Sequence, residues 1–139
     1  MEGISIATAQ FENRSGDKKY NLAVIERLAR KASREGINAI AFHECSVTGY
    51  TFARNLSQEQ LLELAEFIPE GESISRLAGI AKKHEIVLLA GLFEKDREEN
   101  VFNTYVCVDK NGLIAKSRKL HPFINPLIRP GDRDRKSVV

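Results

Sequence analysis

An α/β fold organised around a mixed sheet is predicted by three features of the sequence taken together. Short, nearly all-apolar runs alternate with segments of helical periodicity as far as Phe93, and two β-rich runs then flank an Asn111-Gly112 step. Strand–helix–strand alternation calls for parallel neighbours, because the helix carries the chain back across the sheet, whereas Asn-Gly permits a tight antiparallel return. With 139 residues, 42% of them hydrophobic, the chain has enough apolar surface for one core.

Residues 4–11 are apolar at alternate positions and read as the first strand, followed by a polar loop over 13–17. Leu22, Ile25, Leu28, Ala29 and Ala32 recur at the spacing of one helix face, which predicts a helix over 18–35, and Gly36 supplies a left-handed residue to end it. Residues 37–42 are apolar without alternation, the pattern of a strand covered on both faces. Ser57 and Gln60 fit a capping box for a helix through Glu66. Ile74, Leu77, Ala78 and Ala81 mark the inner face of another helix, ending near His84. Residues 86–93 make a third strand for the sheet centre, where the Ala90-Gly91 step lets another backbone come close. Residues 101–108 and 113–117 form the hairpin. Past Arg118, Pro122, Pro126 and Pro130 interrupt regular structure, so a folded portion over 1–124 is expected to give way to an irregular charged tail over 125–139.

Charge excludes some partners. Lys+Arg 21 against Asp+Glu 19 gives a formal net charge of +2, too little for nucleic acid or an anionic membrane to be the principal partner. Cys45 and Cys107 lack the spacing of a zinc site or a disulfide framework, so no metal and no cofactor are expected. No signal-type or membrane-spanning run occurs, and a cytoplasmic protein acting on a small molecule is the expectation.

The segment Ala39-Ile40-Ala41-Phe42-His43-Glu44 delivers a carboxylate at the C-terminal end of a buried strand, the edge where α/β sheets bind ligands. By spacing alone, Glu44 could simply mark where that strand meets solvent. Two further stretches change the balance: Val47-Thr48-Gly49-Tyr50, just after Glu44, and Arg118-Lys119-Leu120-His121-Pro122-Phe123, after the fifth strand. Together they resemble two landmarks of the nitrilase superfamily of carbon–nitrogen hydrolases, with His43 standing where the family usually has proline. The first strand ending in Gln10, the first long helix, Glu94-Lys95, Asn103-Thr104 and the hairpin fall in the family order as well.

The resemblance implies half of an α/β/β/α sandwich, with the helices on one face of a mixed sheet. It implies Glu44 as general base, Lys119 as oxyanion stabiliser, and Tyr50 and Phe123 as walls of the pocket for a small-molecule amide or nitrile. A carboxylate against apolar walls shuttles protons near neutrality, and a fixed ammonium offsets charge that appears only in the transition state. The family's nucleophilic cysteine should follow Lys119, yet no cysteine follows Cys107. The chain is therefore expected to stop short of its nucleophile and to be inactive alone, the alternative being a non-catalytic binding or assembly module. An uncovered sheet face would favour a homo-oligomer.

Other constellations are weaker. Cys45 with His84 or His121 could in principle form a thiol–imidazole pair, and His43, Cys45 and His121 a metal site, but no local signature accompanies either. His84 is adequately explained by attraction of its protonated form to a helix C-terminus.

Overall fold

Ile40 and Phe42 alternate with Ala39 and Ala41, so one face of their strand carries large side chains and the other small ones. The computed structural model describes residues 3–132; the charged stretch Arg133-Asp134-Arg135-Lys136 lies outside the described residues. The elements run β1 (Ile6–Ala9), α1 (Lys18–Arg34), β2 (Ala39–Phe42), a 3-10 turn (Thr51–Asn55), α2 (Gln58–Leu64), α3 (Glu72–His84), β3 (Val87–Lys95), β4 (Val101–Asp109), β5 (Gly112–Arg118) and β6 (Ile128–Arg129). The strands form one sheet in the order β1-β2-β3-β4-β5, with β6 added against β4. β1, β2 and β3 pair in parallel, whereas β3, β4 and β5 pair antiparallel. The predicted mixed sheet is present, with the switch at the third strand.

Helix ends follow their local chemistry. The Asp17 side chain accepts the Tyr20 N–H at 3.0 Å to cap α1. At the other end Gly36 adopts φ +78 while Gly36 N–H bonds Ser33 O and Ile37 N–H bonds Ala32 O, the paired contacts of a Schellman stop. Ser57 and Gln60 complete a reciprocal capping box at α2. That helix ends at Leu64 rather than Glu66, because Glu66 N–H and C=O turn out to bond Phe93 and Lys95 of β3.

Register defines two faces. The row Ala7, Ile40, Leu88, Val108, Leu113 packs under α1 and α3 with Leu22, Ile25, Ile74, Leu77 and Ile80. Each such Leu or Ile withdrawn from water stabilises the fold by about 1.5–3 kcal/mol. The opposite row, Thr8, Ala41, Leu89, Cys107, Ala115, has no helix over it, and Ile6 on that side is 66% exposed. The apolar pattern of β2 thus matches a doubly covered strand, but among the described residues only one face is covered.

A second, smaller core sits at one end of the open face: Cys45, Ala53, Leu61, Leu64, Phe93, Val101, Ile124 and Ile128. Ile124, Asn125 and Ile128 are buried there, and Ile128–Arg129 pairs β4 in parallel. The segment after Arg118 is therefore less irregular than its prolines predict. The Asn125 amide donates to Ala53 O and Leu56 O, so a side chain supplies the hydrogen bonds that the prolines deny to the backbone. No helix among the described residues is long and apolar enough to cross a membrane.

Candidate active site

Glu44 leaves the end of β2 on a turn that the sequence builds with unusual care. Cys45 takes φ 50, a left-handed conformation that costs a non-glycine residue energy and has to be held by its surroundings. Three tethers hold it: Val47 N–H on Gly91 O at 2.9 Å, Gly91 N–H on Ser46 Oγ at 3.2 Å, and the Asn13 amide on Cys45 O at 3.2 Å. The buried Asn21 amide adds a fourth, to Val47 O at 2.9 Å. Gly91 is required for this approach, since a Cβ there would lie 2.3 Å from Cys45 N. The close passage expected at Ala90-Gly91 is therefore the passage of the turn that carries Glu44.

Lys119 follows β5, and its backbone N–H bonds Asn103 O on β4 at 2.8 Å. Because Arg118 faces the helices, the alternation of a strand sends Lys119 to the open face. There its Nζ lies 2.5 Å from Glu44 Oε1, although the two residues are 75 positions apart in sequence. The acid and the ammonium meet at one rim of one sheet. Burial works to lower the Lys119 pKa, but the hydrogen bond and charge of Glu44 outweigh it, and the ammonium is held above its usual range.

Tyr50 and Phe123 flank that ammonium, their ring centroids 5.6 Å and 5.3 Å from Lys119 Nζ and 6.3 Å from each other. Burial, and then the charge of Glu44, raises the Tyr50 phenol. An open cleft of about 430 Å³ is lined by Phe42, Glu44, Asn103, Tyr105, Ser117 and Lys119. The Glu44 side chain is 42% exposed, so the apolar walls expected around it are not supplied by these residues.

Neither cysteine is placed to react. Cys45 is fully buried in the smaller core, and burial, followed by the neighbouring Glu44 charge, pushes its thiol up to about 12. Cys107 sits in mid-strand on β4, its thiol raised by burial and by Asp109. The thiol–imidazole alternative fails on geometry: His84 Nε2 is 3.1 Å from Glu26 on α1, and Ser33 holds its backbone carbonyl, while His121 is exposed. His84 is thus fixed by a carboxylate partner as well as by its place at a helix end. His43 lies against Phe11, its Nδ1 3.1 Å from Glu44 O, and among the described residues no three His, Cys, Asp or Glu side chains gather as a metal site.

Asn103 was legible only as part of a motif, yet its amide donates to Glu44 Oε1 at 2.6 Å. Its position on a strand gives its face, not its partner, which depends on a register that only the folded sheet reveals. A larger cleft, about 570 Å³ beside α1 and the start of α3, contains Glu66. That carboxylate is saturated by Ser73 and Lys18, which outweigh burial and lower its pKa, so Glu66 is committed to structural contacts.

Known proteins share this arrangement of elements. The carbon-nitrogen hydrolase family model matches residues 5–139. A nitrilase of Pyrococcus abyssi is 36% identical over 118 residues, covering 84% of this chain and 43% of the relative. A formamidase of Helicobacter acinonychis is 31% identical, covering 96% of this chain and 41% of the relative. An amidase from Nesterenkonia sp. superposes with a TM-score of 0.72 at 25% identity, covering 94% of this chain and 49% of the amidase. One structure of that amidase, with a glutamate replaced by glutamine, has acrylamide added at its active-site cysteine. The chain spans about half or less of the length of these relatives. Since the family match takes in the strand ends that carry both Glu44 and Lys119, this chain belongs to the carbon–nitrogen hydrolases of the nitrilase superfamily.

Proposed function

We propose that this chain contributes the base and the oxyanion-stabilising cation of a hydrolase that opens a small amide or nitrile through a Cys-Glu-Lys triad. The observation that carries this reading is the 2.5 Å contact of Lys119 with Glu44 at a strand-end rim, in a chain of this family. Lys119, whose pKa is raised, stays protonated through the neutral range and so offers fixed positive charge rather than a base. Glu44 is then the member of the pair that takes a proton.

For an amide, Glu44 accepts the proton of a cysteine thiol, and the thiolate forms a C–S bond as the carbonyl electrons move onto oxygen. The Lys119 ammonium offsets that oxyanion. Collapse breaks the C–N bond, the proton passes from Glu44 to the leaving nitrogen, and a thioester remains. Water, deprotonated by Glu44, then releases the carboxylic acid and restores the thiol. Tyr50 and Phe123 wall the substrate beside Lys119 in this reading.

The attacking thiol is neither Cys45 nor Cys107, given their burial and placement, and the reading assigns it to a segment outside this sequence. Taken alone, residues 1–139 are then without hydrolytic activity. Two free thiols fit a reducing compartment, and the cytoplasm is the proposed location. The open sheet face favours a second reading for the isolated chain, an assembly module in which two copies stack the Ala41, Leu89 and Cys107 faces.

Ammonia release from short aliphatic amides and nitriles tests the catalytic reading, using both residues 1–139 and the whole polypeptide its gene encodes. A loss of about 10²–10⁴-fold in Glu44→Gln is expected where activity exists. Full activity in that variant overturns the reading, and no activity in any form favours the module. Sedimentation of residues 1–139 as a stable monomer at high concentration would remove the stacked dimer.

A further inference from the structure

Glu44 Oε1 receives two donors, Lys119 Nζ at 2.5 Å and Asn103 Nδ2 at 2.6 Å. Among the described residues none donates to Oε2. The two oxygens of one carboxylate, on a residue that lines the cleft, are therefore inequivalent: Oε1 has two donors and Oε2, among the described residues, has none. Asn103 is 5% exposed, so its amide has almost no water to turn to. Its own orientation is fixed from the other side, where Asn103 Oδ1 accepts the Cys45 Sγ–H at 3.5 Å. A thiol pushed up to about 12 keeps its proton and remains a donor, which holds Nδ2 towards Glu44. The same residue's carbonyl accepts the Lys119 backbone N–H at 2.8 Å. Asn103 thus holds the acid by its side chain and the lysine by its main chain.

We infer that Asn103 is a positioning residue which, with Lys119, locks Oε1 of Glu44 and presents Oε2 as the oxygen that accepts the proton from the nucleophile. The inference rests on Glu44 acting as the base. A carboxylate free to rotate about its last bond would offer either oxygen and would spend part of its time with Oε2 on Lys119. Fixing one oxygen removes that freedom before the reaction begins. The buried Cys45 acquires a function in this scheme: it is an orienting donor, and no nucleophile is needed at that position.

Asn103→Leu keeps the branched shape and the backbone carbonyl while deleting the amide. In whichever form hydrolysis is measured, kcat should fall about 10- to 100-fold with KM nearly unchanged, the cost of one hydrogen bond to a charged group. Glu44→Gln, assayed in parallel, separates the two ideas. If Glu44→Gln is inactive and Asn103→Leu equals the wild type, the positioning role is wrong and the base reading survives. If Glu44→Gln keeps full activity, the base reading itself fails. A second measurement needs no turnover and no altered Asn103: the Asn103 side-chain amide protons, followed by NMR in residues 1–139. One of them should be shifted downfield and slow to exchange, and Glu44→Ala should abolish both properties. An Asn103 amide resonance at the position of a free amide, unchanged by Glu44→Ala, overturns the proposal.

Discussion

Two glutamates, one just past the end of β2 and one near the end of β3, meet basic partners in opposite ways. Glu94 lies on the helix side, its side chain 2% exposed, bonded to Thr104, Lys116 and both Nε and Nη2 of Arg118. Glu44 lies on the open side, its side chain 42% exposed, with both donors on one oxygen. The partners come from the same two stretches of strand. Asn103 and Lys119 turn to one face, and their neighbours Thr104 and Arg118 to the other, because strand side chains alternate. Every acceptor of Glu94 is used, which makes it a structural pin. Glu44 keeps an oxygen in reserve beside a cleft, which suits it to exchange protons. The difference between support and chemistry is set by saturation and exposure, not by residue type.

The sharpest way to break that contrast is to neutralise each acid in turn. Glu44→Gln should lower hydrolysis by about 10²–10⁴-fold while unfolding free energy in urea changes by less than about 1 kcal/mol, since its ion pair is partly exposed and screened by solvent. Glu94→Gln should do the reverse, destabilising the fold by about 3–5 kcal/mol because Lys116 and Arg118 are left without their buried partner. Activity per folded molecule should stay within a few-fold. A stable Glu94→Gln protein would show that the buried cluster is replaceable.

Acid titration sharpens the same point. Burial works to raise Glu94, but Arg118, Lys116 and Thr104 outweigh it and hold the carboxyl below its usual value of 4.5. A depressed folded pKa means that the stabilisation is complete above the unfolded value near 4.5 and is lost as pH falls through the lower folded value. The stability gap between wild type and Glu94→Gln should therefore be constant at neutral pH and narrow below about pH 4.5. A gap that widens on acidification would contradict the assignment.

Gly91→Ala acts on one side of the contrast only. The new Cβ would lie 2.3 Å from Cys45 N and 3.2 Å from the Glu44 carbonyl carbon, both backbone atoms, so the turn must move. A displacement of order 1 Å costs about 10²-fold in rate, and overpacking about 1–3 kcal/mol in stability. The signature to look for is weakened hydrolysis with the Glu94 acid titration intact.

How much of this could be read in advance depends on what kind of order each residue obeys. Glu44 and Lys119 stood out because a strand end and a short motif are local patterns, and the helices followed from 3.6-residue spacing and caps such as Ser57. The small core was hidden. Ile124, Asn125 and Ile128 sit among prolines that read as irregular, and what orders them is a side chain, Asn125, bonding two carbonyls roughly 70 residues earlier. The 3-10 turn over Thr51–Asn55 has no repeating pattern long enough to detect. Gly91 announced a close approach but not which backbone would come, and Asn103 announced a face but not Glu44. Long-range partners are a property of register, and register is written in the folded sheet.

The smallest effect tests how the buried acid divides its allegiance. Lys116 and Arg118 both reach Glu94, but Arg118 does so with two nitrogens, at 3.0 Å and 2.9 Å, and its guanidinium also lies 3.8 Å from the Phe102 ring centroid. Lys116 brings a single ammonium from a half-buried position on β5. Lys116→Met should keep the apolar stem against the sheet while removing one of several donors, costing about 1 kcal/mol in urea unfolding. Arg118 would continue to hold Glu94 ionised, so the narrowing of stability with acid should persist at reduced amplitude. A loss as large as that of Glu94→Gln would mean that the lysine, not the arginine fork, is the principal counter-charge of the buried acid.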